Sequence, residues 1–384
     1  MIYIHVPFCR SFCTYCGFYS EVAPKCRETM EALRQDKLIG AYVTSLEAEI
    51  VARRNDIERV FASSDVNTLY IGGGTPSILP LSAFVRLVDA LGRKGYSEFT
   101  VEVNPEDIVE KGVEYVKGLL DLGVNRISMG VQSFDDDILK FMNRRHTSAQ
   151  AVEAYRILEE AGVENISIDL IFGLPQLSEQ TWAETINKAL NISSTGVPPK
   201  HISAYQLSIE PDSMLEKLIS KGRFEEASGE QCRQQYESLC DELSRAGYHH
   251  YEISNFGRPG YEARHNSAYW RNVPYIGLGP GAHSYVDRQR SWNVSSLESY
   301  VKADDFSKIR EFEDLDIEQL AMERIMLGLR TSNGVEESFL MDHCDRRAVE
   351  MAFENGHLIR TGSNMVCIPE SSFFISDNII SSII

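Results

Sequence analysis

IYIHVPFCRSFCTYCGFYS, residues 2–20, sets the reading of the whole chain. Its first five residues are apolar and β-rich and predict an opening strand at 2–6. Directly after them Cys9, Cys13 and Cys16 stand in CxxxCxxC spacing. Three thiolates so placed can hold three corners of a cubane iron-sulfur cluster. Ordinary ferredoxins close the fourth position with another cysteine, so a loop of three leaves one iron open for a small chelating ligand. The amino and carboxylate groups of S-adenosylmethionine would suit that position. A structural zinc site wants four protein ligands, and no cysteine pair or histidine at finger spacing follows nearby.

Beyond the loop, short apolar runs alternate with helix-length amphipathic segments, the pattern of a parallel sheet with crossover helices. Strands are expected at 2–6, 67–72, 98–103, 125–130, 165–172 and 201–208, and helices near 36–55, 81–94, 106–121, 148–161 and 179–191. Gly95, Gly123 and Gly162 stand where C-terminal caps belong. The repeat stops near residue 210, giving an α/β fold with six βα units in an open, partial (β/α)6 barrel. A complete eight-unit barrel usually needs about 250 residues.

At 384 residues and 43% hydrophobic content, the chain can bury one large domain and a smaller one. The start lacks the basic n-region and long apolar h-region of a signal peptide, and no membrane span is expected, which points to a cytoplasmic protein. Eight cysteines are too sparse for a disulfide scaffold; Cys26, Cys232, Cys240, Cys344 and Cys367 read as structural. A net charge of −18 opposes nucleic acid as a partner.

In α/β sheets ligands gather at the carboxyl ends of the strands, and each strand end here is distinctive. GGGTPS (72–77) lets backbone N–H groups approach a ligand, or else makes a tight turn. VEVNP (101–105) puts Glu102 and Asn104 on one face, where Glu102 either binds hydroxyls or an ammonium or is a solvated strand-end charge. MGVQSF (129–134) carries Gln132, and IDLIFGLP (168–175) places Asp169 within an apolar run. A buried carboxylate needs a partner, and Arg144 in NRRH is a candidate for it or for a ligand carboxylate.

These motifs, in this order, resemble the radical SAM proteins of the coproporphyrinogen dehydrogenase type and, among them, the HemW heme chaperones. The resemblance runs through CxxxCxxC, GGGTP, VEVNP, RISMGVQSF, IDLIFGLP and AYQLSIEP, nearly the whole chain. It implies that Cys9, Cys13 and Cys16 ligate a 4Fe-4S cluster and that Tyr3, Tyr15, Gly73, Gly74, Thr75 and Glu102 contact S-adenosylmethionine. Gln132, Arg144, Asp169 and Ala204 match positions lining the nucleoside pocket or a second such site. The implied chemistry is one-electron reductive cleavage of the sulfonium, giving methionine and a 5'-deoxyadenosyl radical, with a low-potential flavodoxin-like or ferredoxin-like donor.

Two departures argue against decarboxylation of coproporphyrinogen III. The dehydrogenases carry a further cysteine two residues after the third ligand, where this chain has Phe18, and an arm before the first strand. The segment at 251–285 is long, aromatic and glycine-punctuated, and its HNSAYW portion (265–270) fits the HNxxYW heme-binding pattern of the chaperone group. His265 would then be the axial ligand, beside Asn266, with Tyr269 and Trp270 offering flat apolar surface to a porphyrin; His283 in GPGAHS is the next candidate. His249 and His250 read as structural.

The expected division is a barrel at 1–210, an extension at 211–310 carrying HNxxYW, and a small helical domain at 311–384 that resembles the family's winged-helix-like tail. In that tail LDIEQLAMERIMLGLRT reads as an amphipathic helix burying Leu320, Ile325, Met326 and Leu329. Five Arg, no Lys and fourteen Asp plus Glu give it a net charge of −9, against DNA binding. Three functions follow from the resemblance: heme delivery to a client hemoprotein, with localisation peripheral to the membrane through that client; coproporphyrinogen dehydrogenation; and radical methyl transfer or heme degradation. Phe18 weighs against the second and HNSAYW favours the first.

Overall fold

Each of the six expected strands forms in the computed structural model, which describes residues 1–22, 29–362 and 364–384. They are β1 Ile2–Val6, β2 Thr68–Gly73, β3 Glu98–Val103, β4 Arg126–Gln132, β5 Ile166–Phe172 and β6 His201–Gln206. All six pair in parallel with their neighbours in chain order. Between the later strands run the helices Leu81–Leu91, Pro105–Asp121, Ser148–Ala161 and Glu179–Leu190, and Thr29–Ala52 precedes β2. Gly162 caps its helix in the left-handed conformation, and Gly123 follows Leu122 at the end of another. Gly95 is not a cap: the helix stops at Leu91 because Gly92, with φ 64°, already takes the left-handed turn. Cys26 lies outside the described residues.

The sheet does not end at residue 210. Three more strands, β7 His249–Glu252, β8 Asn255–Gly257 and β9 Ile276–Leu278, extend it to nine in the order β9-β1-β2-β3-β4-β5-β6-β8-β7. β8 runs antiparallel to β6, and β9 runs parallel to β1 with Ile2 opposite Ile276. At three or four residues each, these strands are too short to carry a legible period. A boundary at 210 therefore separates strands of one sheet. The boundary at 311 falls inside β12 Arg310–Asp314, which pairs with β11 Gln289–Asn293 and, through it, β10 His283–Val286.

Alternation along the six strands divides them into two layers. Ile4, Leu69, Val101, Met129, Leu170 and Ile202 are buried against the helices. The intervening residues, Tyr70, Glu102, Ser128, Asp169 and Ser203, come together at one cavity, so the sheet is curled around a polar interior. Beneath that layer the interior stays polar: Ser167 bonds His201 Nδ1 at 2.8 Å, and His201 Nε2 meets the Tyr251 hydroxyl at 2.8 Å.

The tail combines the helices Ile317–Gly328, Glu337–His343, Arg346–Glu354 and Ser376–Ile383 with a small antiparallel sheet of Val335–Glu336, Met365–Cys367 and Ile359–Thr361. Ile325 and Leu329 are buried as expected; Met326 is exposed and Ala321 takes the inward position instead. No described helix is long and apolar enough to cross a membrane.

Candidate functional site

The cysteine loop is tied down at both ends and in its middle. Gly74 N–H donates to Val6 O at 2.8 Å and Thr75 N–H to Phe8 O at 2.7 Å, fixing the loop's entry beside the GGGTP turn. That approach requires glycine: a Cβ on Gly74 would stand 2.6 Å from Phe8 O, and Gly73 has φ 110° with the His5 ring 2.6 Å from where its Cβ would be. Further along, Asn143 Nδ2 donates to Phe12 O at 2.6 Å and Thr14 N–H to Met142 O at 3.2 Å.

Cys9, Cys13 and Cys16 are unpaired, half-buried thiols lining the cavity mouth. The Thr75 hydroxyl lies 3.6 Å from Cys9 Sγ and Arg144 Nη1 lies 3.5 Å from Cys13 Sγ, each placed to donate to a thiolate. Burial raises the Cys9 thiol and pushes Cys16 up to about 11, so protons must leave when metal binds. No three described metal-binding side chains converge on a single-ion position. A cubane does not require that, because its thiolates ligate separate irons. Three thiolate donors from one loop, with hydroxyl and guanidinium donors aimed at two of them, fit a cluster with one open iron.

Behind the loop lies a cavity of about 560 Å³. Glu102 is on its wall, accepting from the Tyr70 hydroxyl at 2.7 Å and from Gly73 N–H at 3.1 Å. It is not a solvated strand-end charge; burial, reinforced by Asp169, raises its pKa to about 7. Asp169 also has its pKa raised by burial, and it accepts from Ser128 Oγ at 3.1 and 3.2 Å. The anticipated Arg144–Asp169 pair does not form. Arg144 is instead spanned between Asn104 Oδ1 at 2.6 Å and Gly130 O at 2.7 Å, which turns it toward the thiols.

Tyr15, Gly73, Gly74, Thr75 and Gln132 line the same cavity, Gln132 from a backbone with φ 67°. Ala204 does not: it faces the helices, and its neighbours Ser203 and Tyr205 take the cavity positions. Tyr3 stands one layer back, its ring 6.1 Å from Tyr70 and its hydroxyl 3.0 Å from His5 Nδ1. Tyr70 and Ser203 lie outside the quoted motifs, and Arg126 and Ser128 lie inside RISMGVQSF without being singled out there. Their signal was the alternation of β2, β4 and β6, legible only once the cavity face is known.

HNSAYW forms the helix Arg264–Trp270 against the start of β2. His265 is 1% exposed, with Nδ1 2.8 Å from the Thr68 hydroxyl and Nε2 3.0 Å from the Tyr269 hydroxyl. Its ring packs on Tyr70 at 5.1 Å, and burial lowers its pKa to about 3. Both nitrogens are engaged, so His265 offers no ligand to iron in this conformation. Of the segment only Asn266 reaches the cavity; Tyr269 and Trp270 are half-buried outside it. His283 is exposed at the start of β10, outside the cavity, its ring stacked on Trp292 at 5.7 Å. Phe18 is 73% exposed on the cysteine loop.

The radical SAM superfamily profile matches residues 3–189. The heme chaperone HemW of Bacillus subtilis is 35% identical over 342 residues, 87% of this chain and 84% of that protein. HemW of Escherichia coli is 33% identical over 74% of this chain and 70% of its own length. Among solved structures, the radical SAM coproporphyrinogen III oxidase HemN of Escherichia coli superposes with a TM-score of 0.77 over 99% of this chain and 89% of that one, at 21% identity, a likeness of fold. By motif order, by cavity and by these relatives, the chain belongs to the radical SAM superfamily and, within it, to the HemW family.

Proposed function

We propose that this protein is a heme chaperone-like radical SAM protein that binds a 4Fe-4S cluster, S-adenosylmethionine and heme and passes heme to a client hemoprotein. The observation that carries the reading is the three-thiol loop facing a cavity walled by GGGTP and Glu102, in a chain 35% identical to a heme chaperone. Cys9, Cys13 and Cys16 would hold the cluster, with the methionine end of S-adenosylmethionine beside the loop. Gly73, Gly74, Thr75 and Glu102 then lie along the adenosyl part. When bound, the cluster and S-adenosylmethionine supply one-electron reductive chemistry; the chain holds them apart from water.

Glu102 is suited to hydroxyl recognition because two donors already orient its carboxylate and the ionised form can accept more. Exposed Phe12 and Phe18, at the mouth of the cavity, give the loop an apolar rim for a low-potential donor of flavodoxin or ferredoxin type. For heme iron, His283 is an imidazole that this conformation offers, since its ring makes no hydrogen bond to a described residue and Trp292 backs it.

The test is anaerobic. Reconstituted protein is given reductant, S-adenosylmethionine and either heme or coproporphyrinogen III, followed by analysis of bound heme, 5'-deoxyadenosine and porphyrin products. Roughly one heme per chain with no decarboxylated product is expected. Catalytic conversion to protoporphyrinogen IX would replace this reading with the dehydrogenase.

A further inference from the structure

The floor of the cavity holds a cation that forms no ion pair with a described residue. Arg126, at the start of β4, is 1% exposed and lines the cavity, and its Nε has no hydrogen-bond partner among the described residues. An arginine fork carries five N–H donors, and a buried charge is stable only when it is paired and hydrogen-bonded. The two cavity carboxylates that feel its charge do not pair with it: Glu102 is engaged by Tyr70 and Gly73, and Asp169 by Ser128. The neighbouring cations are accounted for differently. Arg144 is bonded to Asn104 and Gly130, and Arg145 is paired with Glu106 at 3.1 Å.

We infer that Arg126 is an anion anchor at the closed end of the cavity, receiving a carboxylate of the molecule that shares the cavity with S-adenosylmethionine. A carboxylate is the matching class because its two oxygens meet the guanidinium fork in a bidentate, charge-assisted pair. Ser128, Ser203 and the Asn266 side chain, all on the cavity wall, would surround the rest of that ligand with hydrogen-bonding groups. The cysteine loop, where the amino acid end of S-adenosylmethionine belongs, lies at the mouth. The anchored acid is therefore a second molecule. Its identity as an anchor rests on the cavity and its buried cation and stands whether or not the heme reading does.

Formate is the probe. On cluster-reconstituted protein saturated with S-adenosylmethionine, the melting temperature is compared in formate and in chloride at equal ionic strength. Formate should raise it by a few degrees in wild type, as a ligand of the native state does, and should have no effect in Arg126→Gln. Arg126→Lys, which keeps the charge and loses the fork, should keep a smaller response, and it serves if the glutamine variant fails to fold. Absence of a formate effect in wild type, or an equal effect in Arg126→Gln, overturns the anchor. An effect seen only without S-adenosylmethionine also overturns it, because Arg126 would then be holding that cofactor's own carboxylate. If heme fails to bind while the formate response holds, the chaperone reading falls and the anchor remains.

Discussion

Removing the Glu102 carboxylate measures how the cavity recognises S-adenosylmethionine. In Glu102→Ala the ligand loses an oriented carboxylate acceptor, and the Tyr70 hydroxyl and Gly73 N–H lose their partner. A hydrogen bond to a charged group contributes about 1.5–3 kcal/mol, which corresponds to a weakening of about tenfold to 150-fold. Glu102→Gln keeps one acceptor oxygen and should fall between alanine and wild type. The two variants also differ in pH response. With its pKa near 7, Glu102 is ionised at pH 8 and largely protonated at pH 6. Wild-type affinity should therefore decline as pH falls through that range, whereas Glu102→Gln should lack this component. Anaerobic calorimetry at pH 6, 7 and 8, with cluster content matched by visible absorbance, reads both effects. Unchanged affinity in Glu102→Ala with an intact cluster would refute the reasoning, and so would a wild-type pH profile shared by Glu102→Gln.

Replacing any of Cys9, Cys13 or Cys16 with Ser should abolish the visible absorption of the cluster while far-UV circular dichroism stays near wild type; a full cluster in Cys13→Ser would sink the assignment. His265→Ala should destabilise the fold by about 1–3 kcal/mol in urea unfolding, because the buried Thr68 hydroxyl loses its partner. It should leave the heme spectrum unshifted, whereas His283→Ala should shift it; the reverse pattern would show that the helix at 264–270 opens to bind iron. Glu252, fully buried in β7 and held by Asn255 and Ser254 N–H, has its pKa raised by burial to about 7 from 4.5. A folded-state pKa above the unfolded one means that the native state binds more protons between those values, so stability from this group falls as pH rises from 4.5 to 7. The loss is about 3 kcal/mol. Glu252→Gln should flatten the urea stability profile by that order, and an unchanged slope would count against the burial argument.

What the sequence determined by itself was local and periodic. The CxxxCxxC spacing acts over eight residues, and the six parallel strands announce themselves by apolar runs between amphipathic helices. The glycines at 72–74 could be read as a place of close approach because no other residue leaves backbone N–H groups unobstructed. Tertiary structure decided which groups meet. Arg144 is bonded to Asn104 and Gly130 rather than Asp169, partners that lie forty and fourteen residues earlier in the chain and meet it only in the folded molecule. Arg126 opens RISMGVQSF without announcing a role there, and only the curl of the sheet makes its strand face the cavity. The HNSAYW motif was visible as letters, but its burial against β2 depends on Thr68 and Tyr70, some two hundred residues earlier, whose hydroxyl and ring engage His265. The three short strands of the extension join the sheet through backbone hydrogen bonds, which carry no side-chain signature in the sequence.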